Sequence, residues 1–455
     1  MAKQKVKTVF VCQNCGTKSP KWNGKCSGCG EWNTIVEEKE VPKPASNRGW
    51  TPVVKQENRF QLLDDVVSKK ADRIAFTDEE LNRVLGGGVV PGSLVLLGGE
   101  PGIGKSTLLL QMALNNAHLK VAYISGEESA EQIKIRAERI GGLNRSCFVL
   151  TETRTAEIFN VLDKHPFDLV IVDSVQTLYT DVLDSSPGSV SQIRETAAEF
   201  LRFSKASGIP VVLVGHITKD GSIAGPKVLE HMVDVVLQFE GDRNFMYRLL
   251  RGVKNRFGST HELGIYEMKN EGMIPVSNAG KVLLSDLSED FSGVGIGCAL
   301  EGNRTFLVEI QALVSTAVYG TPQRSTTGFD LRRLNMLLAV LEKRCKFKLG
   351  AKDVFLNITG GLKVEDPALD LAVVVGVLSS TADFPIPRDV VFVSEVGLSW
   401  ELRPVSRIEQ RLQEVEKLGF RKAYISGFGE TKFRKLGLEL VVCNKVEEVV
   451  ASLFG

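Results

Sequence analysis

The sequence contains no run of eighteen uncharged apolar residues, which excludes a membrane-spanning helix on hydropathy. Its start, MAKQKVKTVFVCQNC, is basic but has no apolar centre, so it does not read as a signal peptide. A soluble, cytoplasmic chain with no membrane partner is expected. Charge of one sign is lacking as well. Against 55 Asp and Glu stand 56 Lys and Arg, a net +1 over 455 residues, so the whole chain shows no polyanion-binding signature. There is no internal repeat of fixed period and no low-complexity segment. What is present is ordinary for globular protein, 43% hydrophobic and 24% charged residues, and this excludes wholesale disorder. At roughly 150 residues per domain, the length suggests about three domains.

Cysteine is sparse except in one place. Four of the eight crowd into residues 12–29, while Cys147, Cys298, Cys345 and Cys443 stand singly. Cys12-Gln-Asn-Cys15 and Cys26-Ser-Gly-Cys29 are two C-x-x-C pairs ten residues apart, with Gly16 and Gly30 directly after them. Each such turn presents two sulfurs on one side, and two turns supply the four thiolates of a closed, structural tetrahedral Zn²⁺ site. With so few apolar residues the module should fold only with metal bound. A redox pair is the alternative, weakened by the lack of a surrounding βαβ pattern. Lys3, Lys5, Lys7, Lys18, Lys21 and Lys25 surround the cluster, and Trp22 and Trp32 offer apolar faces. These residues either solvate and pack a tiny domain or touch nucleic acid or a partner.

The zinc knuckle is expected over residues 1–35, followed by a polar, Pro-bearing linker over 36–58. From 59 to 285 short Val/Ile/Leu runs (SLVLLGG, KVAYIS, DLVIVD, PVVLVG) alternate with amphipathic stretches such as KSTLLLQMALNNA and SAEQIKIRAERI. That alternation predicts an α/β fold with a parallel-type sheet covered on both faces. Past a turn-rich stretch near 285–292, a second α/β domain is expected over 290–455. Its strands would be GVGIGCALEG, RTFLVEIQALV, VFLNITGG and VVFVSEVG, and its helices LRRLNMLLAVLEKR and PALDLAVVVGVLSS.

Gly99-Glu100-Pro101-Gly102-Ile103-Gly104-Lys105-Ser106-Thr107 matches G-x-x-x-x-G-K-[ST] and lies between an expected strand and an expected helix. The glycines let main-chain N–H groups curl around the phosphates of ATP at a positive helix end. Lys105 would reach the β and γ phosphates and Ser106 would ligate Mg²⁺. Asp173, at the end of the strand FDLVIVD, suits the Mg²⁺ water shell. Glu127 and Glu128 follow the strand KVAYIS, where a carboxylate can orient the attacking water. Chemistry alone does not choose between them.

Residues 59–285 resemble the RecA-type ATPase core. The four-cysteine knuckle, GEPGIGKST, VDSVQT and Lys254-Asn255-Arg256-Phe257-Gly258 together resemble the RadA (Sms) family of bacterial DNA-repair proteins over essentially the whole chain. The resemblance implies Glu127 as the catalytic carboxylate, with Glu128 as the fallback. It also implies that Lys254 and Arg256 reach the γ-phosphate of a neighbouring subunit, and hence a homo-oligomeric ring, a hexamer. It implies action on single-stranded and branched DNA in homologous recombination, by branch migration or unwinding, alongside RecA. Two polar segments, 184–192 and 218–227, sit where RecA-like cores place DNA loops, and His216 resembles a γ-phosphate sensor position; ordinary solvent loops and a capped histidine are the alternatives.

The tail resembles the proteolytic domain of Lon. Aligned through Pro367 and Pro404, the nucleophile's position holds Ala368 and the lysine base's position holds Glu409, so Ser-Lys peptidase chemistry is not expected. A signalling ATPase of the KaiC type and an ATP-dependent peptidase are the rival readings. The neutral total conceals segregation: residues 1–55 carry ten Lys or Arg against four Glu, and 324–352 carry eight against two acids, about +6 each, which leaves about −11 elsewhere. The second stretch is either a helix end with complementary cations or a surface that tracks a DNA backbone.

Overall fold

A computed structural model describes residues 7–13, 16–40, 73–142, 144–216, 228–241, 247–260, 262–276, 284, 291–317, 322–359, 363–428 and 436–455. Cys15, segment 218–227 and most of the linker lie outside the described residues. The chain divides into two units, residues 1–275 and 276–455.

The first unit begins with a small antiparallel sheet in the order β2-β1-β3, formed by β1 (Lys7–Cys12), β2 (Lys18–Ser19) and β3 (Ile35–Glu40). β3 pairs with β1 along its full length, from Cys12↔Ile35 to Lys7↔Glu40. The ribbon therefore runs to Glu40, although the polarity of IVEEKE suggests a linker from residue 36. Main-chain pairing makes this strand, and main-chain pairing leaves no mark on side-chain pattern.

The larger domain of this unit runs α1 (Glu79–Leu85), β4 (Leu94–Gly99), α2 (Lys105–Asn115), β5 (Val121–Ser125), α3 (Ala130–Ile140), β6 (Cys147–Thr151), α4 (Thr155–Leu162), β7 (Leu169–Asp173), α5 (Val190–Ser207), β8 (Val211–His216), α6 (Val228–Met232), β9 (Val235–Glu240), β10 (Tyr247–Asn255), β11 (Leu263–Lys269) and β12 (Gly272–Pro275). Its nine strands lie in the order β12-β11-β10-β9-β4-β8-β7-β5-β6. The six from β9 to β6 are mutually parallel, and β10, β11 and β12 add an antiparallel extension.

Strand residues alternate between two cores. Val95, Leu97, Val121, Tyr123, Leu169, Ile171, Val212 and Val214 pack beneath α2. Leu94, Leu96, Ala122, Ile124, Val170, Val172, Val211 and Leu213 pack against Phe159 of α4 and Phe200 and Phe203 of α5. Continuous apolar runs are what a strand covered on both faces requires, so the parallel sheet expected from the sequence is present.

The second unit holds β13 (Val294–Glu301), β14 (Arg304–Thr316), β15 (Arg324–Thr327), α7 (Leu331–Cys345), β16 (Lys352–Ile358), α8 (Asp370–Ala382), β17 (Val390–Val393), β18 (Glu395–Val396), β19 (Leu402–Arg403), α9 (Ile408–Lys417), β20 (Lys422–Ser426), β21 (Glu439–Cys443) and α10 (Val446–Phe454). Its seven-stranded sheet has the order β15-β16-β14-β13-β17-β20-β21, and β18 and β19 pair separately. α8 is buried from Asp370 to Ser379, which explains why its sequence is apolar all round rather than amphipathic.

Candidate nucleotide site and metal ribbon

The phosphate loop leaves β4, the middle strand of the nine-stranded sheet, and enters α2 at Lys105. It needs left-handed backbone at Gly102 (φ 79°) and Gly104 (φ 115°), conformations that favour glycine. Ser106 and Thr107 follow in the first turn of α2, where unpaired main-chain N–H groups point outward. Glu100, Pro101 and Gly102 are exposed and Ile103 is buried, anchoring the loop.

Lys105 is buried, and its ammonium donates to the carbonyls of Gly99 (2.8 Å) and Glu100 (2.9 Å). Burial pushes its pKa down to about 8, against the opposing pull of the Asp173, Glu127 and Glu100 carboxylates. The folded site thus holds the proton less tightly than free lysine does, and a bound triphosphate would draw it back. ATP affinity is expected to fall as pH rises through about 8, by up to roughly tenfold per unit above it. Titrating a fluorescent ATP analogue at rising pH checks this.

The acids at neighbouring strand ends meet here. Asp173 is buried at the end of β7, and the phenol of Tyr123 on β5 donates to its Oδ2 at 2.8 Å. Burial, then the adjacent Asp173 charge, drives the Tyr123 pKa well above its usual value, so the phenol stays a donor. Glu127 turns toward β7: the hydroxyl of Ser174 donates to its Oε1 at 2.5 Å. Glu128 turns the other way and pairs with Arg136 on α3. The turn carrying both glutamates is held by Ser125, whose Oγ accepts from the Glu128 N–H at 3.1 Å, and by Gly126, whose N–H donates to the Asp173 carbonyl at 3.1 Å. A Cβ at Gly126 would stand 2.2 Å from Thr177 Oγ1, so only glycine brings these strand ends together.

Lys105, Asp173 and Glu127 are therefore gathered at one place, and Lys254 and Arg256 are not. The Arg256 N–H donates to the carbonyl of Asp234, whose carboxylate accepts from the N–H of Leu94, the first residue of β4. The loop leaves the other end of that strand, roughly 16 Å away at 3.3 Å per residue. The two cations also differ from each other. Lys254 donates to the carbonyls of Glu230 (2.7 Å), His231 (3.3 Å) and Val233 (2.8 Å), and burial followed by the Arg256 charge lowers its pKa. Arg256 is 57% exposed and stands 3.8 Å from Asp234.

Of the two polar segments, 184–192 is tied down by the Gln192 amide, which bonds the carbonyls of Thr180, Leu183 and Ser185. His216 ends β8. The functional groups that motif reading missed are Tyr123, Ser174 and Arg136. The sequence signal for Tyr123 is slight: one polar-tipped aromatic within an otherwise small and aliphatic strand.

In the ribbon, the sulfurs of Cys12, Cys26 and Cys29 lie within 4.8 Å of one another. The two knuckles are built alike: Gly16 N–H donates to Cys12 O (2.9 Å) and Gly30 N–H to Cys26 O (3.0 Å), both glycines at positive φ. Soft thiolates in a compact, partly buried cluster fit Zn²⁺.

In the second unit Ala368 is fully buried in a short 3-10 turn and Glu409 is exposed on α9. The buried polar group nearby is Arg411, which donates to Asp366 Oδ2 at 2.6 Å and to the Cys298 carbonyl at 2.7 Å. Of the basic stretch, Arg333 is engaged internally with Asp370 and Glu395, while Arg332, Lys343, Arg344, Lys346 and Lys348 are exposed. No helix among the described residues is long and apolar enough to cross a membrane.

A glycine-rich loop on an interior strand of six parallel strands, with a buried lysine and carboxylates at nearby strand ends, defines a RecA-like P-loop ATPase. A zinc ribbon is joined to it. Family models match the same parts: an AAA domain over residues 56–222, a rubredoxin metal-binding domain over 10–37, and subunit ChlI of Mg-chelatase over 310–427. The chain belongs to the DNA repair protein RadA family. It is 48% identical over 456 residues to DNA repair protein RadA of Bacillus subtilis, covering 99% of this chain and 100% of the relative. It is 43% identical to that of Streptococcus pyogenes serotype M6, with 99% and 100% covered. Among solved structures, a KaiC-like protein from Pyrococcus horikoshii OT3 (18% identity, TM-score 0.38) covers 45% of this chain and is itself 99% covered. The RadB recombinase (24%, TM-score 0.36) covers 44% and is itself 97% covered.

Proposed function

We propose that this protein is a DNA-dependent ATPase motor of recombination and repair, working as a ring of six copies on single-stranded and branched DNA alongside RecA. The observation that carries the reading is the convergence of Lys105, Asp173 and Glu127 beside the phosphate loop. The loop N–H groups and Lys105 bind the phosphates. Ser106 and Asp173 would hold Mg²⁺, which neutralises charge on the phosphate oxygens when bound. Tyr123 orients Asp173 for that task, and Glu127, fixed by Ser174, orients the attacking water. Arg256, exposed and at the far end of β4 from its own loop, stabilises the transferring phosphoryl group bound by a neighbouring copy; Lys254 would assist only on leaving its three carbonyl partners.

The DNA part of the reading is supported by the family and by the exposed cations at the end of α7. ATP turnover with and without single-stranded DNA, and three-strand branch migration with and without RecA, test it. DNA should stimulate turnover and Lys105→Ala should abolish both activities. Turnover indifferent to DNA would sink the motor reading and favour a signalling ATPase.

A further inference from the structure

The ribbon exposes two indoles. Trp22 and Trp32 are 58% and 66% exposed, whereas the small core beneath them consists of Cys12, Cys26 and Ile35 with Phe10 packed alongside. Both rings converge on Gly24. A Cβ there would lie 3.7 Å from Cη2 of Trp22 and 3.6 Å from Cζ3 of Trp32, so two aromatic edges flank a residue with no side chain of its own.

The metal-bearing turn sets this spacing. Cys26 N–H donates to Glu31 O (2.9 Å), Asn33 N–H donates to Gly24 O (2.9 Å), and Lys25 bridges Trp32. The Lys25 ammonium stands 5.7 Å from the Trp32 ring centre. Lys21, Asn23 and Asn33, beside the two rings in sequence, and Lys25 are all exposed. Within residues 16–36 three lysines face a single acid, Glu31.

The chemistry of this rim selects the occupant. A protein hot spot seats an indole in an apolar, desolvated surround, but the sequence neighbours here are ammonium and amide groups. An unpaired base offers a π-face to an indole, polar edges to an amide and a phosphate to an ammonium. We propose that Trp22 and Trp32 form a stacking platform for an unpaired base of single-stranded nucleic acid, with Lys21 and Lys25 on the flanking phosphates. The inference rests on the reading that this protein acts on DNA, and it gives the zinc ribbon a direct part in holding the strand.

The test uses the full-length protein and oligo(dT), with oligo(rU) as the arm that separates DNA from RNA. With Trp50→Phe present throughout, binding of oligo(dT) should quench tryptophan fluorescence through Trp22 and Trp32, because the remaining Trp400, buried at 3% exposure, is shielded from the strand. Trp22→Ala combined with Trp32→Ala should remove most of the quench and weaken binding about tenfold or more. The slope of log affinity against log salt should stay unchanged, since the rings carry no charge. Lys21→Ala with Lys25→Ala should make that slope shallower by about one to two. Trp32→Phe, which keeps a π-face, should retain part of the affinity. Zinc content and DNA-free ATP turnover should match the unaltered protein throughout.

Wild-type affinity with a persisting quench in the double tryptophan variant overturns the platform, as does loss of RecA binding with DNA affinity intact. If the unaltered protein ignores oligo(dT) even at low salt, the DNA reading itself fails.

Discussion

Replacing Glu127 with glutamine is expected to slow ATP hydrolysis by about 10²- to 10⁴-fold while leaving ATP binding nearly unchanged. The carboxylate faces the loop lysine and is held by the Ser174 hydroxyl at 2.5 Å. Glutamine keeps its size and can accept that hydrogen bond, but it carries no charge to polarise a water. Glu128→Gln is the matched comparison, because Glu128 is turned away to Arg136. It should leave the rate within a few-fold and cost at most about 1 kcal/mol of stability, the usual worth of a partly exposed pair. Single-turnover hydrolysis with radiolabelled ATP reads both. If Glu128→Gln abolishes turnover and Glu127→Gln does not, the roles are reversed.

Replacing Arg256 with alanine is expected to cost about 10³- to 10⁵-fold in turnover if the guanidinium completes a neighbour's site. Its 3.8 Å ion pair at 57% exposure means that stability should hardly change. Lys254→Ala should behave differently. Three carbonyls lose their donor, so the melting temperature should fall together with activity. Mixing is the decisive measurement: Lys105→Ala subunits keep a working Arg256, and Arg256→Ala subunits keep a working loop. Mixed rings should partly recover hydrolysis, and no recovery at any ratio would show that each site is complete within one chain.

Some of this was legible in the sequence. Strands buried on both faces read as unbroken apolar runs, so LVLLGG, VAYIS and LVIVD announced β4, β5 and β7. The loop motif and the paired cysteines are local signals, complete within a few residues. The direction in which Glu127 and Glu128 point was not legible, because it depends on Arg136 one helix away and on Ser174 forty-seven residues on. Tyr123 was hidden for the same reason, since its partner belongs to another strand. The antiparallel strands β10 to β12 were missed because YRLLRGVKN has no strict alternation; Arg248, Leu249, Leu250 and Gly252 are buried within a mixed pattern, and one of the four is charged.

Asp234 sits where three demands meet: the first N–H of β4, the ammonium of Lys205 at 2.7 Å, and Arg256. The far end of the same strand carries the loop that grips the phosphates. β4 is buried along its whole length and bonded to β8 and β9, so the strand that begins beside Asp234 and ends at the phosphate loop is held laterally on both sides. Were a neighbouring copy to engage Arg256, that contact and the copy's own phosphate loop would sit at opposite ends of one short, buried strand.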